Sequence, residues 1–391
     1  MEKNFSMVSR NRMTDKKVHC IAPFSSAVII QDKFDPCCEW QRDRNFIDNN
    51  KSIQAHHLEL FAKHRKKFLD ADGNVRRVRN CNTCAIASKQ YLMHNSYARK
   101  DIDYISNPTL TNLHLKFNNF CNLACRMCDP KSSSILAKEH NRKFNDSKNP
   151  WIDQTLRKGS VLYNSLFESL HNLNRLWFSG GEPLIQEEVW EIIKYCVEND
   201  IAKNIDIKFN TNGTVVLTEE QKGMLLSFNA VNIDISMDGV GELAEYIRTK
   251  VVWDKWFKNF QDYLNFSKDR PQIQICIATA LSIYNVHRID EIWEFYSKFD
   301  IYGMSFTPVW FPQELCVSNL NPVAKDFIYE KYKNHPRKSK FLEIFSLLKL
   351  RSANIDVKSY IDGIDNRAVA SKMYKNYKPF KEVEEEWYNL L

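Results

Sequence analysis

Three cysteines stand close together in the segment FNNFCNLACRMCDP: Cys121, Cys125 and Cys128, spaced C-x3-C-x2-C. Three thiolates on one short loop can bind three irons of a cubane iron–sulfur cluster. Four irons need four ligands, so this spacing leaves one iron open, and an open coordination position is a place for chemistry. Zinc on the same loop would require a fourth protein ligand, for which His114 or Asp129 could serve. A second group of cysteines comes earlier. Cys81-x2-Cys84 is a two-ligand bite for zinc or an iron–sulfur cluster, and Cys20 and the Cys37–Cys38 pair flank an apolar stretch, as two arms of a hairpin would. Neighbouring side chains of an extended segment point oppositely, so one of that pair, taken as Cys37, reaches a shared metal.

The chain has 391 residues and 11 cysteines, most of them in its first third. Its opening, MEKNFSMVSRNRMTDKK, is polar and lacks the apolar stretch of a secretory signal. An odd number of cysteines without an export signal points to a reducing, cytoplasmic setting and to metal binding rather than a disulfide framework. No apolar run approaches a membrane span. Hydrophobic residues make up 43% and charged residues 26%, enough for a packed core; 10 glycines and 12 prolines exclude collagen-like or low-complexity material. A net charge of +7 permits an anionic partner without requiring nucleic acid.

The elements that must position these residues follow from periodicity. Short β-branched or apolar runs at Leu113–Phe117, Leu176–Ser179, Ile205–Asn210, Val231–Met237, Ile273–Ala278 and Gly303–Pro308 read as strands. Helical patterns lie between them at about 131–142, 160–171, 186–199, 218–227, 252–266 and 286–298. Six successive βα units predict an α/β fold with a parallel sheet, a partial TIM-like (β/α)6 barrel whose site lies at the C-terminal strand ends. Upstream, a strand at Ala27–Ile30, a helix over 51–69 and a helix from CNTC to about Arg99 are expected. Downstream, residues 323–391 are charged and mostly helical, and their tail VEEEWYNLL is a candidate cap for the barrel's open side. The expected division is 1–105, 108–315 and 316–391, with Asn107-Pro108 at the first boundary.

The cysteine loop resembles the C-x3-C-x-φ-C signature of the radical S-adenosylmethionine (SAM) superfamily, with Met127 at the φ position. The resemblance covers about residues 110–310 and is strengthened by Gly180-Gly181-Glu182-Pro183, one βα unit after the loop. It implies a 4Fe–4S cluster on Cys121, Cys125 and Cys128, whose open iron is chelated by SAM. One electron from the cluster then cleaves SAM to a 5′-deoxyadenosyl radical that abstracts hydrogen from a substrate. It further implies that Gly180, Gly181, Glu182 and Pro183 receive the methionine ammonium, that Ser236 and Asp238 lie where ribose hydroxyls bind, and that Arg248 lies where a carboxylate-binding arginine is often placed. Asn210 and Asn212, near the exit of the third strand, are amides able to contact a ligand, although Asn212-Gly213 also reads as a tight turn. Ala278 and Ala280 could leave room for adenine. Cys276 reads as a small buried hydrophobe.

The order C…PCC…CxxC, over about residues 18–100, resembles SPASM or twitch auxiliary modules and implies one auxiliary 4Fe–4S cluster on Cys20, Cys37, Cys81 and Cys84. A structural zinc on the same thiolates is the alternative. Partners implied are a reductant such as flavodoxin or ferredoxin and a peptide or protein substrate. Modification of a nucleic acid or a cofactor precursor, or a non-catalytic zinc adaptor, are the rival readings. The basic runs KHRKK at 63–67 and RRVR at 76–79 read as solvated faces or as a docking patch for an acidic partner.

Overall fold

In the computed structural model the described residues are 22–30, 33–37, 46–68, 102–144, 156, 158–353, 355–371 and 377–391. Cys20, Cys38, Cys81, Cys84, the RRVR run and the helix expected after CNTC lie outside them.

Eight strands form one sheet in the order β2-β1-β3-β4-β5-β6-β7-β8. They are β1 (Ser26–Ile30), β2 (Lys33–Asp35), β3 (Asn112–Lys116), β4 (Arg175–Phe178), β5 (Asp206–Thr211), β6 (Ala230–Ser236), β7 (Ile273–Leu281) and β8 (Gly303–Pro308). From β3 to β8 every pairing is parallel, and helices lie between successive strands. The fold is α/β, a partial barrel of six parallel units, as the periodicity predicts. The six strands start and end within one residue of the expected positions, except that β7 continues to Leu281.

Alternation explains why these segments are strands. Along β7, IQICIATAL, every second residue is buried and its neighbours are partly exposed. Leu176 and Phe178 of β4 and Ile207 and Phe209 of β5 are 0–1% exposed and pack in one core. The opposite set, which includes Lys208, Asn210, Asn232, Asp234 and Cys276, faces the other side of the sheet and is half-buried.

The first region joins this sheet. β1 and β2 form an antiparallel hairpin with Val28 opposite Asp35, and β1 runs parallel to β3, with Val28 beside His114. The helix Ile53–Phe68 packs beside it. Within KHRKK, Arg65 is not on a solvated face: it is 8% exposed and its guanidinium donates to the carbonyls of Pro23, His57 and Leu58. A short helix, Glu242–Ile247, was not foreseen; at six residues it is too short to show a period. Downstream, the helices Pro322–Lys333, Leu342–Leu348, Val357–Ser371, Phe380–Val383 and Glu385–Leu390 make the helical extension. Its tail packs on the loop after β7, where Trp387 is 3% exposed, donates to the Ile283 carbonyl and stacks on His287.

Candidate active site

The loop 117–133 leaves the C-terminal end of β3 and is held by backbone bonds before any ligand is considered. Ala124 N donates to Thr249 O at 3.1 Å and Arg126 N to Ile247 O at 2.9 Å, so the loop lies against the segment after β6. Ser133 Oγ donates to Leu123 O, and Ser134 Oγ bonds to both the amide and the carbonyl of Cys121. Cys125 is 9% exposed, and Cys121 and Cys128 are half-buried. Burial pushes all three thiols up, Cys125 to about 12 and Cys128 further still. A metal must therefore displace protons to bind them.

Two side-chain donors reach the sulfurs, one from the exit of β5 and one from the end of the helix Glu242–Ile247. Asn212 Nδ2 is 3.9 Å from Cys121 Sγ, and Arg248 Nη1 is 3.8 Å from Cys125 Sγ. Donors of this kind tune metal thiolates and orient them. His114, a candidate zinc ligand by sequence, is otherwise engaged: its Nε2 lies 2.5 Å from the Ser179 hydroxyl and its ring stacks on Trp177 at 3.9 Å. Among the described residues no three His, Cys, Asp or Glu side chains converge on a site for a single ion.

The turn after β4 lies directly under this loop. Gly180 and Gly181 have φ of +77° and +50°, a region L side chains rarely occupy. A Cβ on Gly181 would lie 2.2 Å from the Phe120 carbonyl oxygen. The close approach that requires glycine is thus to the protein's own cysteine loop. Glu182 N donates to that same carbonyl at 2.9 Å. The Glu182 side chain is 0% exposed and its carboxylate accepts from Thr211 Oγ1 at 2.8 Å, Leu184 N at 3.1 Å and Asn212 N at 2.6 Å. Burial pushes it up to about 7 against those donors. Its carboxylate thus accepts three hydrogen bonds from the protein, two on Oε1 and one on Oε2. Pro183 follows and begins a short 3-10 turn, buried with Leu184.

The other expected residues gather around the same strand ends. Asn212 also bonds Asn122 Oδ1 at 2.8 Å and accepts from Thr214 N at 2.9 Å, in keeping with the turn reading. Asn210 Oδ1 accepts the Trp177 indole N–H at 2.5 Å and lies inside the barrel. Asp238 is 0% exposed; Oδ1 accepts Ala280 N at 2.6 Å and Oδ2 lies 2.8 Å from Arg248 Nε. Arg248 therefore spans Asp238 and Cys125. Ser236 is half-buried at the end of β6, beside Ala278 on β7, and Met127 is half-buried against the core. Cys37, the one described member of the upstream group, is 8% exposed just beyond β2.

Sequence reasoning did not show which polar residues of the barrel interior meet. Lys208 and Asp234 form an ion pair at 2.5 Å with 18% and 14% of each side chain exposed, and Lys208 sits 5.3 Å over the Trp177 ring. Asn232 contacts both Gln274 and the Cys276 thiol. Cys276 is thus half-buried on a polar face rather than a core hydrophobe. The signal available was period-two alternation of polar residues on β5, β6 and β7 together; read strand by strand, it does not show which residues meet.

Residues 115–278 match the family described as the Radical SAM superfamily. The family implies a 4Fe–4S cluster and SAM. Molybdenum cofactor biosynthesis protein 1 of Dictyostelium discoideum is 21% identical over 172 residues, 44% of this chain and 25% of that protein. The match spans about a quarter of that relative's length. Among solved structures, native anSMEcpe with bound AdoMet is 17% identical with a TM-score of 0.40, covering 68% of each chain. Streptococcus suis SuiB bound to precursor peptide SuiA is 12% identical with a TM-score of 0.34, covering 94% of this chain and 78% of that one. Among the described residues no helix is long and apolar enough to cross a membrane.

Proposed function

We propose that this protein is a radical SAM enzyme, with Cys121, Cys125 and Cys128 as the ligands of a 4Fe–4S cluster. One observation carries the reading: of the three thiols on the loop after β3, Cys121 and Cys125 receive donors from Asn212 and Arg248, and the loop is seated against the Gly180–Gly181 turn. This donor set fits a thiolate cluster with one iron left for another ligand. When bound, the cluster and SAM supply a 5′-deoxyadenosyl radical for hydrogen abstraction. The chain's own residues do the rest: Gly180 and Gly181 bring the backbone to the site, Asn212 and Arg248 orient the sulfurs, and Asp238 holds Arg248. Ser236, Asp238 and Met127 border the place for the nucleoside.

A peptide is the proposed substrate, and the interior ion pair supports it. A lone carboxylate or ammonium entering between Lys208 and Asp234 would leave one partner buried without its counter-charge, at a cost of about 3–5 kcal/mol. A peptide amide offers a carbonyl acceptor to Lys208 and an N–H donor to Asp234. We further assign residues 1–105 as an auxiliary module, with Cys20, Cys37, Cys81 and Cys84 holding a second 4Fe–4S cluster, 108–315 as the barrel, and 316–391 as an extension. A flavodoxin or ferredoxin is the proposed reductant.

The test is anaerobic reconstitution with iron and sulfide, then dithionite and SAM, with 5′-deoxyadenosine as the readout. Wild type forms it, Cys125→Ala does not, and Cys84→Ala keeps the barrel cluster. Full cleavage by Cys125→Ala would reject the site, and zinc without sulfide in the native protein would reject the enzyme.

A further inference from the structure

Arg126, the residue between Cys125 and Met127, is 9% exposed, and two of its partners come from the far end of the chain. Its guanidinium carbon lies 4.1 Å from the Tyr246 ring centroid and 5.0 Å from that of Tyr377. Nη1 is 3.4 Å from Asp365 Oδ1, Nη2 donates to the Tyr377 hydroxyl, and Nε donates to the Tyr246 carbonyl. Asp365, on the helix Val357–Ser371, is 5% exposed and saturated: it accepts from the hydroxyls of Tyr246 and Tyr377 and from Phe380 N at 2.7 Å. Phe380 in turn packs its ring against Tyr246 and Tyr284.

One charged side chain of the cysteine loop is therefore the hub on which two segments of the C-terminal extension dock. A buried ion pair adds little net stability, because desolvation offsets attraction, but it imposes geometry: neither partner can move without stranding a charge. Arg126 is bonded covalently to Cys125, and its amide and its guanidinium are anchored to the adjacent carbonyls of Ile247 and Tyr246, so side chain and backbone are fixed together beside the second thiol.

We infer that residues 357–371 and 377–391 form a clamp on the cysteine loop, with Arg126 and Asp365 as positioning residues that set Cys125 and Cys128 for cluster loading. The extension belongs to the metal site rather than being an appendage. The clamp stands on these side-chain contacts; only its second readout below rests on the proposed cluster.

The test uses the full chain with Asp365→Asn and with Tyr377→Phe. Hydrogen exchange of the metal-free protein is read first. The clamp predicts that amides of 121–129 exchange about tenfold faster or more while β5–β7 keep wild-type protection. After reconstitution, the variants bind less iron and give a broadened EPR signal, and Asp365→Glu restores part of both. A merely structural contact predicts faster exchange over 357–371 and 377–391 with the loop unchanged, and that result overturns the inference. If Asp365→Asn unfolds the whole protein, Tyr377→Phe, which removes one hydroxyl and keeps the ion pair, decides by the same criterion. A missing cluster in wild type would sink the cofactor reading alone and leave the exchange result standing.

Discussion

The carboxylate of Glu182 accepts the backbone N–H of Asn212 at 2.6 Å, and this bond ties the exit of β4 to the exit of β5 directly beneath the cysteine loop. With Thr211 Oγ1 and Leu184 N on its other oxygen, the group acts as an internal brace.

This brace gives a pH dependence of known sign. Burial raises the Glu182 carboxyl to about 7, above the ordinary 4.5. Between those values the folded state holds a proton that the unfolded state has released, so this group's contribution to stability falls as pH rises from 4.5 to 7. The span amounts to about 3 kcal/mol at most. Urea denaturation of the metal-free protein at pH 5 and 7 measures it, and Glu182→Gln should remove this part of the slope.

His57 acts in the opposite direction. Burial, with Arg65 beside it, lowers its imidazole to about 3 from 6.5. Its contribution is fully present above pH 6.5 and is lost as pH falls towards 3, by about 2 kcal/mol already at pH 5. His57→Leu should remove that loss, leaving the rise expected from Glu182 on acidification. Paired urea titrations of the two variants separate the effects; equal slopes in wild type and His57→Leu would contradict the assignment.

Gly181→Ala places a methyl group 2.2 Å from the Phe120 carbonyl oxygen at a φ of +50°. The expected cost is about 1–3 kcal/mol, taken up as a displacement of the cysteine loop. Iron and sulfide bound after reconstitution should drop while far-UV circular dichroism stays native.

Asp238→Asn leaves Arg248 buried without its counter-charge and should cost about 3–5 kcal/mol. Arg248→Met should be comparably severe. The double variant should cost clearly less than their sum, because neither charge is then stranded. Additive losses in denaturant melts would show that the pair is not coupled.

The barrel strands were legible because their cause is local. In VNIDIS of β6, each apolar side chain must turn to one face and each polar one to the other, so two-residue alternation declares the strand and its faces. The cysteine loop and the Gly180–Gly181 turn were legible for a similar reason: ligand spacing and positive φ are properties of a few consecutive residues. Arg65 shows where local reading fails, since a basic run looks solvated until the carbonyls of Pro23 and His57 close around one of its members.

By itself the chain's order of residues determined six βα units, a three-thiol loop after the first of those strands and a glycine turn after the second. Tertiary structure alone decided that β1 extends the sheet beside β3, that Glu182 turns inward, that Lys208 meets Asp234, and that Arg126 is buried under Asp365 and Tyr377. Periodicity is imposed by neighbours along the backbone. A buried charge is assigned its partner only when desolvation forces it to find one, and that partner can lie anywhere in the chain.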